Sequence, residues 1–593
     1  MRSNGNGVVP DFVAHGMQKQ TSEIVAAYVK SRDAGTQAQL SKLRRNVEKD
    51  SVFMDRPNTT SELMKTLEEE ADRIKLSKAI LRQACHGVVT GQANMQKAGV
   101  TSALGFNFYD LRGPAYLLYP VVTPFRNSIG RQGKVNAGVG TAANWKATRN
   151  PGTPYPGVPE GQRAQVGTPD EINYFASYKE LGDERSVTFT AEFAGEGYTD
   201  NLADEHLRGL HSLWLQEESL ILFGNSGTAS GNNGFALGTA PTPTITAATG
   251  GFANASTVSV CCVLLTAMGY PATGQYGYLG GTKPTPTTGL TPTFSYNAPG
   301  TGTSITINGG TSAVSAMSAV TTVSGGNGLL TATVTGYPNG VFGYAWYVNT
   351  TDASAPTKAN AKLAAITQFP SYTFGVAPPS GNQNAAATGL NVDSSYEPYD
   401  FDGLFTYAAN YGIWTDLKGA SLTTNVGGVV VEVENILESL YQQFQLGVDA
   451  IWGSPDAIKS FSQAILANGS AATGYLLSVD GTKSNGVIGG VIATGYNSRY
   501  AANNPTGAGI IPLKMHPMIP PGTLYFDIAT NPYPSSRIPA VRTMLMQRDY
   551  YGIEWPLVSR AWTFGTYVHE CLAHYIPWAT AVLTGIGPYV PAS

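Results

Sequence analysis

The sequence predicts an α+β chain of several domains, and three observations carry that reading. Apolar residues recur at helical spacing in two long stretches before residue 226. Period-two alternation marks separate strand runs, SVTFTAEF between those two helices and FGYAWYV after them. Between residues 227 and 400 only seven charged side chains occur, so composition itself marks a distinct middle region. A chain of 593 residues has room for two to four domains of ordinary size.

Composition excludes several classes of function. Charged residues are 13% and aromatics 10%, the reverse of a disordered chain. A net charge of -4 gives no chain-wide case for binding nucleic acid, although 15 of the 37 basic residues fall in the first hundred positions against 11 of the 41 acids. The four cysteines, Cys85, Cys261, Cys262 and Cys571, form no CxxC, which fits assembly in a reducing cytosol without disulfides. The N-terminal residues lack the apolar core of a signal peptide, and the longest apolar run, VSVCCVLLTAMGY, is too short to span a bilayer. The uncharged tail after His574 is interrupted by Pro577, Gly585, Gly587 and Pro588 and reads as a buried strand pair. Neither secretion nor a membrane is expected.

The N-terminal elements come first. TTSE at 59–62 fits a capping box, with Thr59 as cap and Glu62 reaching back. Leu63, Leu67, Ala71, Ile74, Leu81 and Cys85 then fall within roughly 80° of arc, opposite Glu68, Glu69, Asp72 and Lys75. The stretch YPVVTPFRNSIGRQ, 119–132, has Pro120 and Pro124 around a β-branched run and leaves open a phosphate-binding loop, a catalytic elbow or a strand handed over to a long arm. A long hairpin is expected over 146–196. Its tip, NPGTPYPGVPEGQRAQVGTPDE, has five prolines and four glycines and no apolar face of its own. Its second leg, SVTFTAEF, alternates Val187, Phe189 and Ala191. Such a hairpin has to lie on a neighbour. Next comes the strongest helix, capped by Asp200, with Leu202, Leu207, Leu210, Leu213, Trp214, Leu220 and Ile221 within about 140° of arc and a left-handed stop at Gly224-Asn225. In the middle region FGYAWYV, SITINGG and GLLTATVTG read as strands, and the scarcity of charge suits surfaces that face other protein. VVVEVENILESLYQQFQLGVDAIWGS is a helix feeding a strand, DAIKSFSQAILANG a second helix, and the last sixty residues long strands.

Catalytic constellations do not emerge. The histidines of HECLAH, His569 and His574, are five apart, so neither a helix nor a strand brings them to one face. Gly133-Lys134 is followed by Val135 where a phosphate loop needs Ser or Thr, AGVGTAAN is only a glycine pair, and no GxSxG occurs. EPYDFDG offers Glu397, Asp400 and Asp402 as oxygen ligands but lacks the pattern of a calcium loop, so a surface turn is expected. Glu217 and Glu218 are adjacent on a helix and point different ways. No enzyme, cofactor or metal is expected.

The order of parts resembles the major capsid protein of tailed double-stranded DNA bacteriophages, the Hong Kong 97-like fold. YPVVTPFRNSIGR followed by GTAANWKA is similar to that family's "PV-TP-RN-IPR … ATNWKA" passage, EESLILFGNSG to the end of its spine helix, and FGYAWYV, AKLAAITQF and DFDGLF to middle-domain segments of one phage subgroup. The likeness covers most of residues 100–593. It implies a helical arm over 1–105, a peripheral-domain entry strand over 106–145, an extended loop over 146–196 and a spine helix over 197–226. An axial domain over 227–530 would include an enlarged β-rich part at about 273–400, and peripheral-domain strands over 531–593 would close the chain. It implies hexamers and pentamers in an icosahedral shell, with portal, scaffold and decoration proteins as partners and non-specific contact with packaged DNA. The place would be the virion, assembled in the bacterial host's cytoplasm.

On that resemblance Arg126 and Arg131 are available to pair across a subunit boundary and Trp145 anchors the base of the loop. Lys146, Tyr155, Arg163 and Phe189 join them as inter-subunit contacts. Some members cross-link through a loop lysine; here the tip has Arg163 and no lysine. Two alternatives stand beside the capsid reading: an encapsulin-type nanocompartment shell, and a surface adhesin or glycan-binding β-rich protein.

Overall fold

The computed structural model describes residues 121–133, 140–195, 200–228, 233–270, 284–425, 429–469, 493–502, 509–531, 533, 536, 538 and 540–589. The helical arm expected over 1–105, with its TTSE cap, lies outside them. Contacts divide the chain into two units, Met1–Ala115 and Tyr116–Ser593, and the described residues all belong to the second.

A long helix, Asn201–Phe223, packs on a four-stranded sheet ordered Arg131–Gln132, Arg542–Glu554, Ala561–His574, Lys179–Thr188. Its start is the one expected: the Asp200 carboxylate accepts the Ala203 N–H at 3.0 Å. Leu213, Leu220 and Ile221 are buried as the stripe predicts, while Leu207 is 43% exposed. The stop differs from expectation. Gly224 is extended (φ -51°, ψ 136°), not left-handed. A Cβ there would stand 2.1 Å from the Phe401 carbonyl oxygen, so close backbone approach is what requires glycine.

Two other local readings change. Within the entry strand implied over 106–145, residues 124–132 are instead a short helix, Pro124–Ser128, followed by the two-residue strand Arg131–Gln132. Pro124 sits at its first position, where the fixed φ suits a helix and no amide is missed. The strand expected through Phe189 ends at Thr188, and Phe189–Gly195 is helical. The Thr188 hydroxyl accepts the Ala191 N–H at 3.3 Å, and this cap outweighs the period-two pattern.

The middle region holds two sheets face to face and a separate two-stranded ribbon, Thr293–Asn297 with Ser304–Asn308. One of the facing sheets is ordered Thr321–Thr322, Thr257–Leu265, Gly343–Asn349, Lys362–Thr367; the other Ser371–Phe374, Asn327–Thr333, Thr244–Ala248. Val258, Val260, Cys262, Leu264, Tyr344, Trp346 and Val348 share a core with Leu330, Ala332 and Phe374. The alternate residues Cys261, Val263, Leu265, Ala345 and Tyr347 join a second core with Phe223, Phe401 and Phe405. Burial on both faces explains why VSVCCVLL and GYAWYV are near-continuous apolar runs. It also places part of the charge-poor surface inside the subunit.

A six-stranded sheet completes the unit, ordered Ile413–Asp416, Thr580–Thr584, Leu524–Asp527, Ala450–Gly453, Gly509–Met515, Gly495–Ser498. The helices Val431–Phe444 and Pro455–Gly469 share its core through Val433, Leu437, Leu440, Ile458 and Phe461. Thr580–Thr584 is wholly buried, as the uncharged tail predicts.

Candidate assembly interface

The strand Ala142–Asn150 pairs antiparallel with Asp170–Ser177 to make an arm. Between these legs the proline-rich tip makes no ladder, and every residue from 153 to 173 is exposed. At Gly152 (φ +72°) a Cβ would meet the Thr168 carbonyl at 2.3 Å, so this glycine lets the two legs of the tip close on each other. Tyr155 is 77% exposed, Val166 86% and Val158 44%. Lys146 and Arg163 are exposed on the same arm.

The arm's base is aromatic. Trp145 stacks on Tyr174 with ring centroids 6.2 Å apart and meets Tyr575 edge-on at 5.3 Å, and Tyr174 lies 6.5 Å from Trp578. The arm thus has aromatic contacts at one end and an exposed tip at the other.

A buried charge cluster fixes the segment that leads into the arm. Glu218 accepts the Phe125 N–H at 2.9 Å, the Arg126 N–H at 2.7 Å and a hydrogen bond from His516 Nε2 at 2.8 Å. Glu217 takes the Arg126 Nε at 2.9 Å, and also contacts Arg131 and the Tyr550 hydroxyl. Arg131 reaches Glu570 at 3.3 Å. The Arg126 guanidinium lies 4.4 Å from the Trp214 ring centroid. Both arginines expected to reach across a subunit boundary are thus engaged within the chain. Glu217 and Glu218, which read from sequence as ordinary helix acids, are both fully buried. Their one sequence signal is position: Glu217 follows Leu213 and Leu220 follows Glu217, a helical turn apart each way, so Glu217 continues the apolar stripe.

Phe189 rests on Trp562, centroids 5.3 Å apart, and its N–H donates to the Arg560 carbonyl. Around it the apolar side chains of Phe193, Trp555, Leu557, Val558 and Trp562 are exposed.

The remaining chemical candidates take structural roles. His569 and His574 lie on the strand Ala561–His574, five residues apart. His574 is fully buried, and burial with the nearby Arg542 charge holds its pKa down at about 3. His569 instead shares a hydrogen bond with the Tyr551 hydroxyl at 2.7 Å. EPYDFDG turns at the exposed Pro398 and Tyr399, but its carboxylates do not face solvent: Glu397, Asp400 and Asp402 are all buried. Asp402 accepts the Ser226 N–H and hydroxyl (2.9 and 2.7 Å) and the Asn233 N–H (2.9 Å), tying down the chain beyond the long helix. Burial pushes its pKa up despite those donors. The glycine stretch at 137–140 falls largely outside the described residues. No described helix is long and apolar enough to cross a membrane, and no three described His, Cys, Asp or Glu residues group as metal ligands.

No family model and no curated protein matches this chain. Solved structures matched over most of its length include phage capsids. The asymmetric unit of the bacteriophage PhiM1 mature capsid is 7% identical, covering 83% of this chain and 95% of that one, with a TM-score of 0.32. The cyanophage A-1(L) capsid is 10% identical over 82% and 99%, with a TM-score of 0.33. The SrpI encapsulin of Synechococcus elongatus PCC 7942 is 12% identical over 32% and 60%, with a TM-score of 0.20. TM-scores below 0.5 do not establish a shared fold, so the functional reading rests on this chain's own residues.

Proposed function

We propose that this chain is a phage major capsid protein of the Hong Kong 97-like kind, a structural subunit that self-assembles into the hexamers and pentamers of an icosahedral shell around double-stranded DNA. One observation carries the reading: an arm rooted in aromatic packing that ends in an exposed, proline-stiffened tip bearing Tyr155, Val158 and Val166. Proline fixes the tip's backbone in advance, so ordering it against a partner costs little conformational entropy. A second copy is the natural partner, because a heterologous contact repeated around a closed ring buries every tip without leaving one over.

In this assignment residues 146–196 contain the extended loop, 197–226 the spine helix, 227–530 the axial domain and 531–593 the returning peripheral strands. Tyr155, Arg163 and Lys146 on the arm meet the neighbour, while Arg126 and Arg131 set the arm's direction from within. Portal, scaffold and decoration proteins are the further partners of such a shell, and its place is the virion after assembly in the bacterial cytoplasm. The subunit's work is mechanical, with no catalytic step.

Deleting residues 150–168 tests this. The variant is expected to fold and to remain unassembled in sedimentation under conditions where the intact chain forms large particles. Particles of undiminished yield from the deleted chain would overturn the role given to the arm.

A further inference from the structure

The cluster at the root of the arm does not balance its charges. Three carboxylates, Glu217, Glu218 and Glu570, are fully buried there. Two guanidiniums, Arg126 and Arg131, face them. The sixth group, His516, is neutral by its hydrogen bonds. Its Nδ1 accepts the Met518 N–H at 3.1 Å and so carries no proton, while Nε2 donates to Glu218. Two positive charges against three carboxylates leave one negative charge over.

Among the described residues, no neighbouring group makes up the difference. Lys179 stands opposite Glu570 on the adjoining strand, but its ammonium is turned to the Pro398 carbonyl. Arg542 is saturated by Asp527 at 2.5 and 3.1 Å. Lys514 lies over the Trp452 ring, 4.9 Å from its centroid. Asp549, on the strand carrying Tyr550, adds negative charge to the surroundings of Glu570. An uncompensated buried carboxylate is far costlier than a protonated one, so the cluster retains a proton.

Glu570 is the group that holds it. Glu218 has three donors, and Glu217 has Arg126, Arg131 and Tyr550. Glu570 has Arg131 on one oxygen, and its other oxygen, Oε1, has no partner among the described residues. We propose that Glu570 and the five groups around it form a one-proton latch: with the proton held, the cluster is neutral and clamps the Phe125–Gln132 segment from which the arm springs; with the proton lost, the clamp weakens. The idea that the arm then assembles less well rests on the capsid reading above. The latch itself does not.

Desolvation is the largest influence on Glu570 and pushes its pKa up to about 7, against the lowering effect of Arg131 and Arg126. The native state then binds a proton that the unfolded chain has already released. Stability therefore falls as pH rises from the ordinary glutamate value of 4.5, and the loss is complete above about 7.

The test uses the unassembled full-length chain, so that a failure of the latch and a failure to form shells are seen separately. Urea unfolding is measured for the wild type and for Glu570→Gln from pH 4.5 to above pH 7. Relative to the variant, the wild-type folding constant is expected to fall by roughly two orders of magnitude across that window. In the wild type, the infrared carbonyl band of a buried protonated carboxyl should disappear as pH passes about 7, and Glu570→Gln should lack it. Parallel pH curves for the two proteins, or a band lost near the ordinary glutamate value, would overturn the latch. If Glu570→Gln does not fold, the wild-type infrared titration decides alone. A latch that titrates as described in a chain that never assembles would refute the capsid reading and leave the latch standing.

Discussion

Replacing Tyr155, Val158 and Val166 together by serine separates assembly from folding. Their side chains are 77%, 44% and 86% exposed, so the isolated subunit gains little from them. Full burial of an apolar side chain of this size is worth about 1.5–3 kcal/mol. Scaled by the exposure still to be lost, Tyr155 and Val166 contribute about 1.5–2 kcal/mol each and Val158 about 1 kcal/mol. One docked tip then gains about 4 kcal/mol, which corresponds to about three orders of magnitude in an association constant. Sedimentation velocity over a concentration series should show the half-assembly point displaced upward by a large factor. Urea unfolding of the unassembled chain should move by no more than about 0.5 kcal/mol, as for other surface substitutions. An unmoved assembly point would refute docking through the tip. A parallel loss of subunit stability would mean that the tip packs on its own chain.

Three further outcomes are expected from the fold. Gly224→Ala forces a Cβ against the Phe401 carbonyl 2.1 Å away and should cost about 1–3 kcal/mol or more, measured by urea unfolding, because both contacting groups are backbone. Asp200→Ala removes the bond to the Ala203 N–H and should cost about 1 kcal/mol, with Asp200→Asn restoring most of it. His574, with its native pKa held at about 3, is neutral in the folded chain where the unfolded chain is protonated. Its contribution is present above the ordinary histidine value of 6.5 and is lost as pH falls toward 3, with a slope of up to about 1.4 kcal/mol per pH unit. This opposes the Glu570 effect between pH 4.5 and 6.5, so Glu570→Gln should uncover a steeper acid-side slope than the wild type has. An acid side no steeper in that variant would contradict the pairing of these two buried groups.

Much of the architecture is legible in the sequence because it is local. Asp200 ahead of a leucine stripe, the alternation in FGYAWYV and the helix-then-strand at 431–453 each come from spacing and caps. What escapes depends on partners distant in sequence. Arg126 and Arg131 read as free cations because their acceptors lie some ninety and more than four hundred residues away. Glu217 and Glu218 read only as neighbouring helix acids that point different ways, because helix position alone does not say which charged residue meets an arginine. Asp402 reads as a surface acid because its donors, Ser226 and Asn233, belong to the turn after the long helix. Where the pattern fails locally, at Phe189 and Pro124, a cap or a fixed φ outweighs β-propensity over fewer than eight residues.

Electron microscopy with sedimentation of the purified full-length chain shows whether it is a shell subunit. Closed shells, capsomers or tubes of repeated subunits are the predicted result. A discrete monomer or small oligomer that persists at high concentration, and with scaffold protein supplied, would contradict it.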